Sequence, residues 1–221
     1  MNMLFDVNSI AKSFATPKGP LNVLKDINFN VASGESVAIV GRSGSGKSTL
    51  LGLLCGLERA DLGSMIFDGE DYSKLSEDAL TRLRANKIGM IFQQFHLLSH
   101  LKAYENVALP LELKGDRNAK ETAIELLGEV GLSARVDHFP AQLSGGEQQR
   151  VAIARAMAIK PKLILADEPS GSLDESTGEE IMSLLFKMVK DHKTSLLIVT
   201  HSQTLAKRCD RILTMENGVL V

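Results

Sequence analysis

Short, continuously apolar runs recur along the chain. Three of them are rich in Val, Ile and Leu and cover residues 36–40, 162–166 and 195–199. Such runs are typical of parallel strands that are covered on both faces. We therefore predict that the three runs belong to a central sheet. A fourth segment lies just before Ser33 and Gly34 and has an apolar residue at nearly every second position, with one interruption of this period. The alternation predicts a half-buried strand. The apolar residues are Leu24, Ile27, Phe29 and Val31.

The segment between the second and the third apolar run has the spacing of a helix. The apolar residues there fall at i, i+3, i+4, i+7 and i+8, which is one face of a helix. A strand, a helix and another strand joined by right-handed crossovers form a doubly wound core. The sequence therefore predicts an α/β fold. The residues on this helix face are Ile181, Leu184, Leu185, Met188 and Val189.

The region from about residue 94 to residue 143 breaks this alternation. Residues 121–130 and their surroundings have a helical pattern without intervening strands. We predict an inserted helical subdomain there, within one domain that spans residues 1–221. The α/β core of this domain would comprise residues 1–93 and 144–221. A chain of 221 residues with a hydrophobic share of 44% is long and apolar enough for both parts.

The charge balance and the length of the apolar stretches limit which partners and which cellular location the sequence allows. The chain has 25 Lys and Arg against 27 Asp and Glu, so no basic excess favours binding to nucleic acid. Its longest stretch without a polar side chain, residues 50–57, is far shorter than the roughly 20 residues of a spanning helix. Asp6 and Lys12 would interrupt the apolar core of a signal peptide. We expect a cytoplasmic protein with no nucleic acid partner and no membrane-spanning segment.

A phosphate-binding loop follows the first apolar run. Residues 41–49 match the pattern G-x-x-x-x-G-K-[ST] between a predicted strand and a predicted helix. Glycines let backbone N–H groups turn towards phosphate oxygens. Lys47 supplies positive charge for the β- and γ-phosphates, and the Ser48 hydroxyl is placed to bind Mg²⁺. The loop predicts a nucleoside triphosphate site rather than a simple connecting turn; it consists of Gly41, Arg42, Ser43, Gly44, Ser45, Gly46, Lys47, Ser48 and Thr49.

Two carboxylates follow the second apolar run. Side chains alternate along a strand, so Asp167 and Glu168 cannot face a metal ion in the same way. We assign Asp167 to Mg²⁺ and Glu168 to the general base that activates water. A surface Asp-Glu turn is the alternative. His201 follows the third run and could contact the γ-phosphate, although a histidine at a strand end is more often a cap or turn residue.

A second glycine-rich segment precedes a helix on which Ile153, Ala156 and Met157 share one face. Ser144 and the two glycines after it predict an N-cap and an open helix N-terminus, which can bind an anion without a lysine. By themselves the residues favour an ordinary capped helix with an acidic first turn. The segment consists of Leu143, Ser144, Gly145, Gly146, Glu147 and Gln148.

Taken together and in this order, the motifs resemble those of the ATP-binding cassette (ABC) ATPases. The resemblance covers essentially the whole chain. It implies a P-loop NTPase (RecA-like) core with a mostly parallel sheet, an antiparallel β subdomain and the inserted helical subdomain. The matching motifs are Walker A (41–49), the glutamine loop at Phe92 and Gln93, the signature (143–148), Walker B (163–168), the D-loop (172–174) and the switch residue His201.

The resemblance also implies how the motifs act. Two copies would form a homodimer around two ATP molecules, with the signature of one chain closing on the γ-phosphate held by the phosphate loop of the other. Gln93 would contact Mg²⁺ and the attacking water, which Glu168 would polarise. Asp174 of the D-loop is included among the nucleotide-binding residues. Phe14 stands where an adenine-stacking tyrosine is common, although a core role for Phe14 is an equal alternative.

Several segments look like the lipoprotein-release and macrolide-export branch of the family, the LolD, MacB and YbbA types. Two further segments, residues 141–156 and 206–211, resemble the YbbA type. Ser170 replaces a usual threonine, and Ser172 replaces a usual asparagine or alanine. These substitutions leave ATP chemistry intact. The segments that resemble the branch are residues 83–84, 88–93, 105–110 and 167–174.

The resemblance implies an ATPase that lies on the cytoplasmic face of the inner membrane and drives a separately encoded transmembrane permease in export or lipoprotein processes. An ATPase that signals through a membrane protein without moving substrate is the alternative. A GTPase is disfavoured because Asn86 and Lys87 are not followed by the aspartate of an NKxD motif, and a DNA-repair cassette because the chain has no room for a coiled-coil arm.

An apolar cluster lies just after Gln93 and comprises Phe95, Leu97, Leu98 and Leu101. It is either core of the helical subdomain or a docking surface for the membrane partner. The residues alone leave both interpretations open.

Overall fold

The computed structural model describes residues 3–221. By contacts between backbone positions, the described residues divide into two compact units: residues 3–84 with 195–221, and residues 85–194. The elements in chain order are β1 (Met3–Thr16), β2 (Gly19–Ala32), β3 (Ser36–Val40), α1 (Lys47–Leu54), β4 (Leu62–Phe67), β5 (Glu70–Asp71), α2 (Glu77–Lys87), β6 (Ile88–Phe92), α3 (Ala103–Glu112), α4 (Ala119–Glu129), α5 (Gly145–Ala158), β7 (Leu163–Asp167), α6 (Glu175–Asp191), β8 (Ser195–Thr200), α7 (Gln203–Ala206), β9 (Arg211–Glu216) and β10 (Val219–Leu220).

The first unit contains two groups of strands. An antiparallel sheet has the order β2-β1-β4-β5. The remaining strands of this unit lie in the order β10-β9-β3-β8, in which β3 is parallel to both β8 and β9, and β10 is antiparallel to β9. Every residue of β8 is buried, as are residues 37–40 of β3. This burial is the physical reason for the two continuously apolar runs.

The slip in the apolar pattern of β2 has a structural cause. On β1, Ile10 and Lys12 lie two positions apart, whereas their partners Ile27 and Leu24 on β2 lie three positions apart. The extra residue forms a bulge at which Asp26 adopts a φ of 48°. The bulge lets Leu24 and Ile27 both point into the core, and both are buried.

The second unit is built on a parallel pair of strands, β6 and β7, together with helices. The register pairs Phe92 with Asp167, which are the last residues of the two strands. The chain therefore leaves both strands at the same edge. Between residues 94 and 143 the structure has helices and no strand, as the sequence predicts for the helical insertion.

Two helices of this unit differ from their predicted faces. On α6 the buried side chains include Met182, whereas Leu184, which the spacing placed on the buried face, is only half-buried. On α5 the helix is buried around most of its circumference rather than on one face. Residues 151–154 and 156–158 are all buried, because small alanines let neighbouring elements approach from several sides. Within residues 3–221 no helix is both long enough and apolar enough to span a bilayer.

Candidate active site

The phosphate loop joins β3 to α1 in the first unit. Gly46 is the N-cap residue of α1 and has a φ of 107°, which an L-residue with a side chain rarely adopts. A Cβ on Gly46 would lie 2.8 Å from Leu24 Cδ2, and one on Gly41 would lie 2.3 Å from the carbonyl oxygen of Met215. The glycines therefore keep the loop against its own unit and leave its other side open to a ligand.

Lys47 carries the positive charge of this loop. Its Nζ donates to the carbonyl oxygens of Gly41 at 2.8 Å and of Arg42 at 2.9 Å, and the residue is only 9% exposed. Among the described residues no carboxylate forms an ion pair with Lys47. An ammonium has three N–H donors, so one remains for a ligand. A buried cation with only neutral partners favours an anion, and the loop therefore fits a phosphate.

A cleft of about 590 Å³ lies beside the phosphate loop within the first unit. Residues 40–45 form one wall, and His201 and Gln203 contribute to its lining, together with residues 214–217 at the end of β9. His201 directly follows β8 and is exposed. The fold of this unit thus brings His201 to the same cleft as the phosphate loop.

Phe14 lies on the surface of the antiparallel sheet and is 37% exposed. A core role for this side chain is therefore wrong. The Nζ atom of Lys12 lies 5.2 Å from the centroid of the Phe14 ring, within the range of a cation–π contact. An exposed aromatic ring in this position is compatible with stacking on a flat ligand.

The acidic pair lies at the end of β7 in the second unit. Asp167 is the last residue of the strand, and Glu168 follows with a φ of 46°. The left-handed conformation costs a residue with a Cβ roughly 1–2 kcal/mol, so the local structure must hold it. The carbonyl oxygen of Glu168 accepts a hydrogen bond from Gly171 N at 2.9 Å. The buried Gln149 of α5 donates its Nε2 to the carbonyl oxygen of Pro169. Two backbone anchors therefore fix the Glu168 turn.

Gln93 leaves the neighbouring strand at the same edge. Its carbonyl oxygen accepts a hydrogen bond from Ser172 Oγ at 2.9 Å. A Cβ on Gly171 would lie 2.9 Å from Gln93 Nε2, so a side chain at residue 171 would force the amide to shift from its place beside the D-loop. The second unit thus brings Gln93, the D-loop and the Glu168 turn together.

The signature begins α5. Ser144 is its N-cap residue, as the sequence predicts: Ser144 Oγ accepts a hydrogen bond from Glu147 N at 3.2 Å, and Glu147 accepts one from Ser144 N at 2.8 Å. The hydrogen bond from Ser144 N and that from the Arg135 guanidinium lower the pKa of the Glu147 carboxyl. Because Ser144 Oγ accepts from the backbone, its own O–H stays able to donate, and the side chain is exposed.

Asp174 has a structural role in this unit. It is the N-cap residue of α6 and accepts hydrogen bonds from Thr177 N at 3.0 Å and Ser176 Oγ at 2.8 Å. These hydrogen bonds, with that from Thr177 N the largest effect, lower the pKa of Asp174 to about 2. The carboxylate that the D-loop motif placed among the nucleotide-binding residues thus caps a helix of its own chain.

Known proteins supply the decisive comparison. The sequence profile of the ABC transporter family matches residues 24–171. The chain belongs to the ABC transporter family. It is 45% identical to the ABC transporter ATP-binding protein YbbA of Escherichia coli K12, over 98% of this chain and 96% of the relative. It is 47% identical to the lipoprotein-releasing system ATP-binding protein LolD 1 of Chlorobium luteolum, over 100% of this chain and 97% of that protein.

Solved ABC proteins share the fold of this ABC ATPase. The bacterial cassette MJ0796, in a dimeric post-hydrolysis state with ADP and Pi, matches with a TM-score of 0.89 and 39% identity over 98% of this chain and 96% of the cassette. CbiO1 of Clostridium perfringens, part of the ABC transporter complex cbiONQ, matches with a TM-score of 0.87 and 29% identity over 100% of this chain and 88% of that protein. The predicted fold class, a P-loop core with antiparallel and helical subdomains, is confirmed.

Two residues that hold the loops around Gln93 and Glu168 in this ABC protein, Gln149 and Arg155 on α5, were not predicted from the sequence. The contact of Ser172 in the D-loop with Gln93 was not predicted either. The first two are polar positions on a helix that is buried on most sides, which is a usable signal because buried polar groups need partners. For Ser172, the only signal in the sequence is that a serine replaces the asparagine or alanine that is usual at this position in the family.

Proposed function

We propose that this ABC ATPase binds ATP with Mg²⁺ at the phosphate loop and hydrolyses it to drive a membrane permease. The observation that carries the proposal is the buried Lys47 ammonium, whose protein partners are neutral carbonyl oxygens. Ser48, Gln93 and Asp167 offer hydroxyl, amide and carboxylate oxygens, which are the donors that Mg²⁺ prefers. When bound, the ion neutralises phosphate charge as the γ-phosphate departs.

Glu168 and His201 complete the proposed chemistry. A carboxylate can take a proton from the attacking water, and Glu168 is held in a strained turn of the kind that clusters at active sites. Gln93 would orient that water through its amide. His201, beside the phosphate loop, would contact the γ-phosphate. Phe14 would stack on the adenine ring.

The signature requires a second chain in this proposal. Ser144 begins a helix whose first-turn N–H groups and free O–H favour an anion, yet the helix contains no lysine near that end. We infer that residues 143–148 of one chain bind the γ-phosphate held by the other, in a homodimer around two ATP molecules. The dimeric MJ0796 cassette supports this arrangement.

Replacing Ser144 by arginine tests the homodimer. We expect Ser144→Arg to keep ATP binding by the monomer and to lower ATP turnover at least about 100-fold, because the phosphate loses a preorganised donor and meets a bulky side chain. Ser133→Arg, an exposed serine of the same unit, is the matched control and should retain activity. Calorimetry and an ATPase assay measure both quantities.

Mixing two inactive chains sharpens this test. A Ser144→Arg chain retains Lys47, and a Lys47→Ala chain retains Ser144, so their heterodimer contains one intact composite site. We expect the mixture to recover ATPase activity that neither homodimer has. A mixture that stays inactive, or a Ser144→Arg homodimer as active as wild type, would contradict the shared site.

The partner of this ABC ATPase is proposed to be a separately encoded permease, reached at the cytoplasmic face of the inner membrane. The complex that contains cbiO1 and the names of the LolD relatives support a multisubunit transporter, with lipoprotein release as the favoured process. The chain also matches the macrolide export protein MacB of Shewanella, at 46% identity, but spans 33% of that longer ATP-binding/permease protein.

The apolar cluster after Gln93 is the proposed docking surface, consisting of Phe95, Leu97, Leu98 and Leu101. None of these four side chains is buried, and Leu98 is 39% exposed. Below it, the buried Asn106 fixes the backbone: Asn106 Oδ1 accepts from Leu98 N, and Nδ2 donates to the carbonyl oxygens of Leu98, Leu101 and Lys102. The core interpretation of the cluster therefore has no support in its burial.

Replacing Leu98 by glutamate tests the docking surface. We expect Leu98→Glu to leave the melting temperature and basal ATPase activity near wild type, because an exposed side chain tolerates a charge. It should abolish co-purification with the membrane subunit. Leu113→Glu, an 81% exposed leucine at the end of α3, is the matched control and should still co-purify. A Leu98→Glu protein that co-purifies normally would refute docking here.

A further inference from the structure

Arg155 holds the exit of the glutamine loop. From the third turn of α5, its Nη1 donates to the carbonyl oxygen of His96 at 2.6 Å, and its Nη2 donates to that of Phe95 at 2.8 Å. One planar guanidinium therefore binds two consecutive carbonyl groups, which its rigid fork of donors suits better than an ammonium does.

The backbone that accepts these bonds is strained. Phe95 and His96 have φ values of 51° and 48°, both in the left-handed region that residues with a Cβ rarely adopt. Successive carbonyls of an extended chain point to opposite sides, whereas those of a helical conformation point the same way. The left-handed pair is thus what turns both carbonyl oxygens towards Arg155. Without the guanidinium, relaxation of the pair would relieve strain.

No counter-charge in residues 3–221 explains the position of Arg155. It is half-buried, and among the described residues no carboxylate forms an ion pair with it. Desolvation lowers the pKa of its guanidinium. A partly desolvated cation that meets only neutral carbonyls is costly, and an apolar residue would suit this mostly buried helix better. The hydrogen bonds to the carbonyl groups of Phe95 and His96 therefore explain why a charged side chain occupies this position.

The loop also touches the other end of α5. The ring of Phe95 reaches to 3.8 Å from the position of a Cβ on Gly145, in the first turn after Ser144. Leu173 of the D-loop lies 3.2 Å from the same position. Ser172 binds the carbonyl oxygen of Gln93. A helix that begins at the signature therefore contacts the segment after Gln93 at its first turn and, through Arg155, at its third.

We propose that Arg155 is a positioning residue that holds the glutamine loop on α5, so that Gln93 and the signature at the start of the same helix move as one body. The proposal rests on the function proposed above, in which Gln93 acts on ATP and the signature acts on the ATP of the other chain. Arg155 itself touches no reacting group. It acts through Gln93 by fixing the backbone that follows it.

Arg155→Lys removes the fork and keeps the charge. Arg150→Lys is a matched control on the same helix, because Arg150 also donates to a backbone carbonyl, that of Val130, but does not contact the glutamine loop. In the nucleotide-free protein, we expect hydrogen exchange of the 94–101 segment to accelerate at least about tenfold in Arg155→Lys and less than about twofold in Arg150→Lys. This readout does not depend on ATPase activity.

A double-mutant cycle tests whether the effect passes through Gln93. We expect Arg155→Lys to lower kcat at least about tenfold with the Kd for ATP unchanged, and to change kcat less than about twofold in a Gln93→Ala background. Unchanged exchange of the 94–101 segment, an unchanged kcat, or an equal loss in both backgrounds would overturn the proposal. A wild-type protein that hydrolyses no ATP would instead refute the proposed function. The hydrogen-exchange measurement would still test whether Arg155 holds the 94–101 segment.

Discussion

Glu168→Gln is expected to bind ATP and to stop hydrolysing it. The amide keeps the shape of the carboxylate but cannot accept the proton of the attacking water, so we expect kcat to fall about 10²–10⁴-fold, the usual contribution of a general base. Glutamine has the same backbone preferences as glutamate at a φ of 46°, and the anchors at Gly171 and Pro169 do not involve the side chain. The melting temperature should therefore stay near that of wild type.

Size-exclusion chromatography in ATP and Mg²⁺ measures the second consequence of Glu168→Gln. With hydrolysis blocked, the closed homodimer should persist and elute at twice the monomer mass, whereas wild type should return to monomer as ATP is consumed. Glu175→Gln, an exposed glutamate in the first turn of α6, is the control and should behave as wild type. A Glu168→Gln protein with full turnover would remove Glu168 from the mechanism.

Lys47→Ala is expected to abolish tight ATP binding. The phosphates lose the buried ammonium, and breaking a desolvated charge contact costs about 2–5 kcal/mol, or roughly 30-fold to several thousand-fold in Kd. The nucleotide-free protein should not be destabilised to a similar extent, because Lys47 has no carboxylate partner among the described residues and its burial is itself costly.

Thermal unfolding with and without nucleotide separates these two effects. Ligand at 100 times its Kd stabilises a protein by about 2.7 kcal/mol, so ATP should raise the melting temperature of wild type. Lys47→Ala should show no such rise while its nucleotide-free melting temperature is retained. Lys25→Ala, on the exposed part of β2, should respond to ATP as wild type does. A full ATP response in Lys47→Ala would disprove the assignment of the phosphate loop.

Local rules were enough to predict the framework of the molecule. Residues 37–40 and 196–199 are apolar throughout because strands that are covered on both faces have no solvent-exposed side, and all eight residues are indeed buried. Ser144 could be recognised as an N-cap because a serine three residues before a glutamate forms reciprocal bonds within one turn. Such patterns depend only on residues that are close together in the sequence, so a single sequence is enough to recognise them.

Contacts between distant segments could not be predicted in this way. Arg155 and the carbonyl oxygen of His96 lie 59 positions apart, and Ser172 and Gln93 lie 79 apart. A side chain that binds backbone carbonyls places no demand on the identity of the residue that accepts, so its partner leaves no signal in a single sequence. The choice between helix faces failed on α6 for a related reason, because Met182 and Leu184 are equally apolar and only the packing of the unit decides which one is buried.

In the proposed docking, the hydrogen bonds of Asn106 would affect how tightly the membrane subunit is bound. Ordering the backbone of a flexible segment costs about 1–2 kcal/mol per residue, which for residues 98–102 would amount to about 5–10 kcal/mol at the moment of docking. Because Asn106 fixes this segment when the ATPase folds, the conformational entropy of residues 98–102 is lost on folding and not on docking. The apolar surface that the proposed docking would bury around Leu98 could then contribute almost fully to affinity, as in other preorganised binding surfaces.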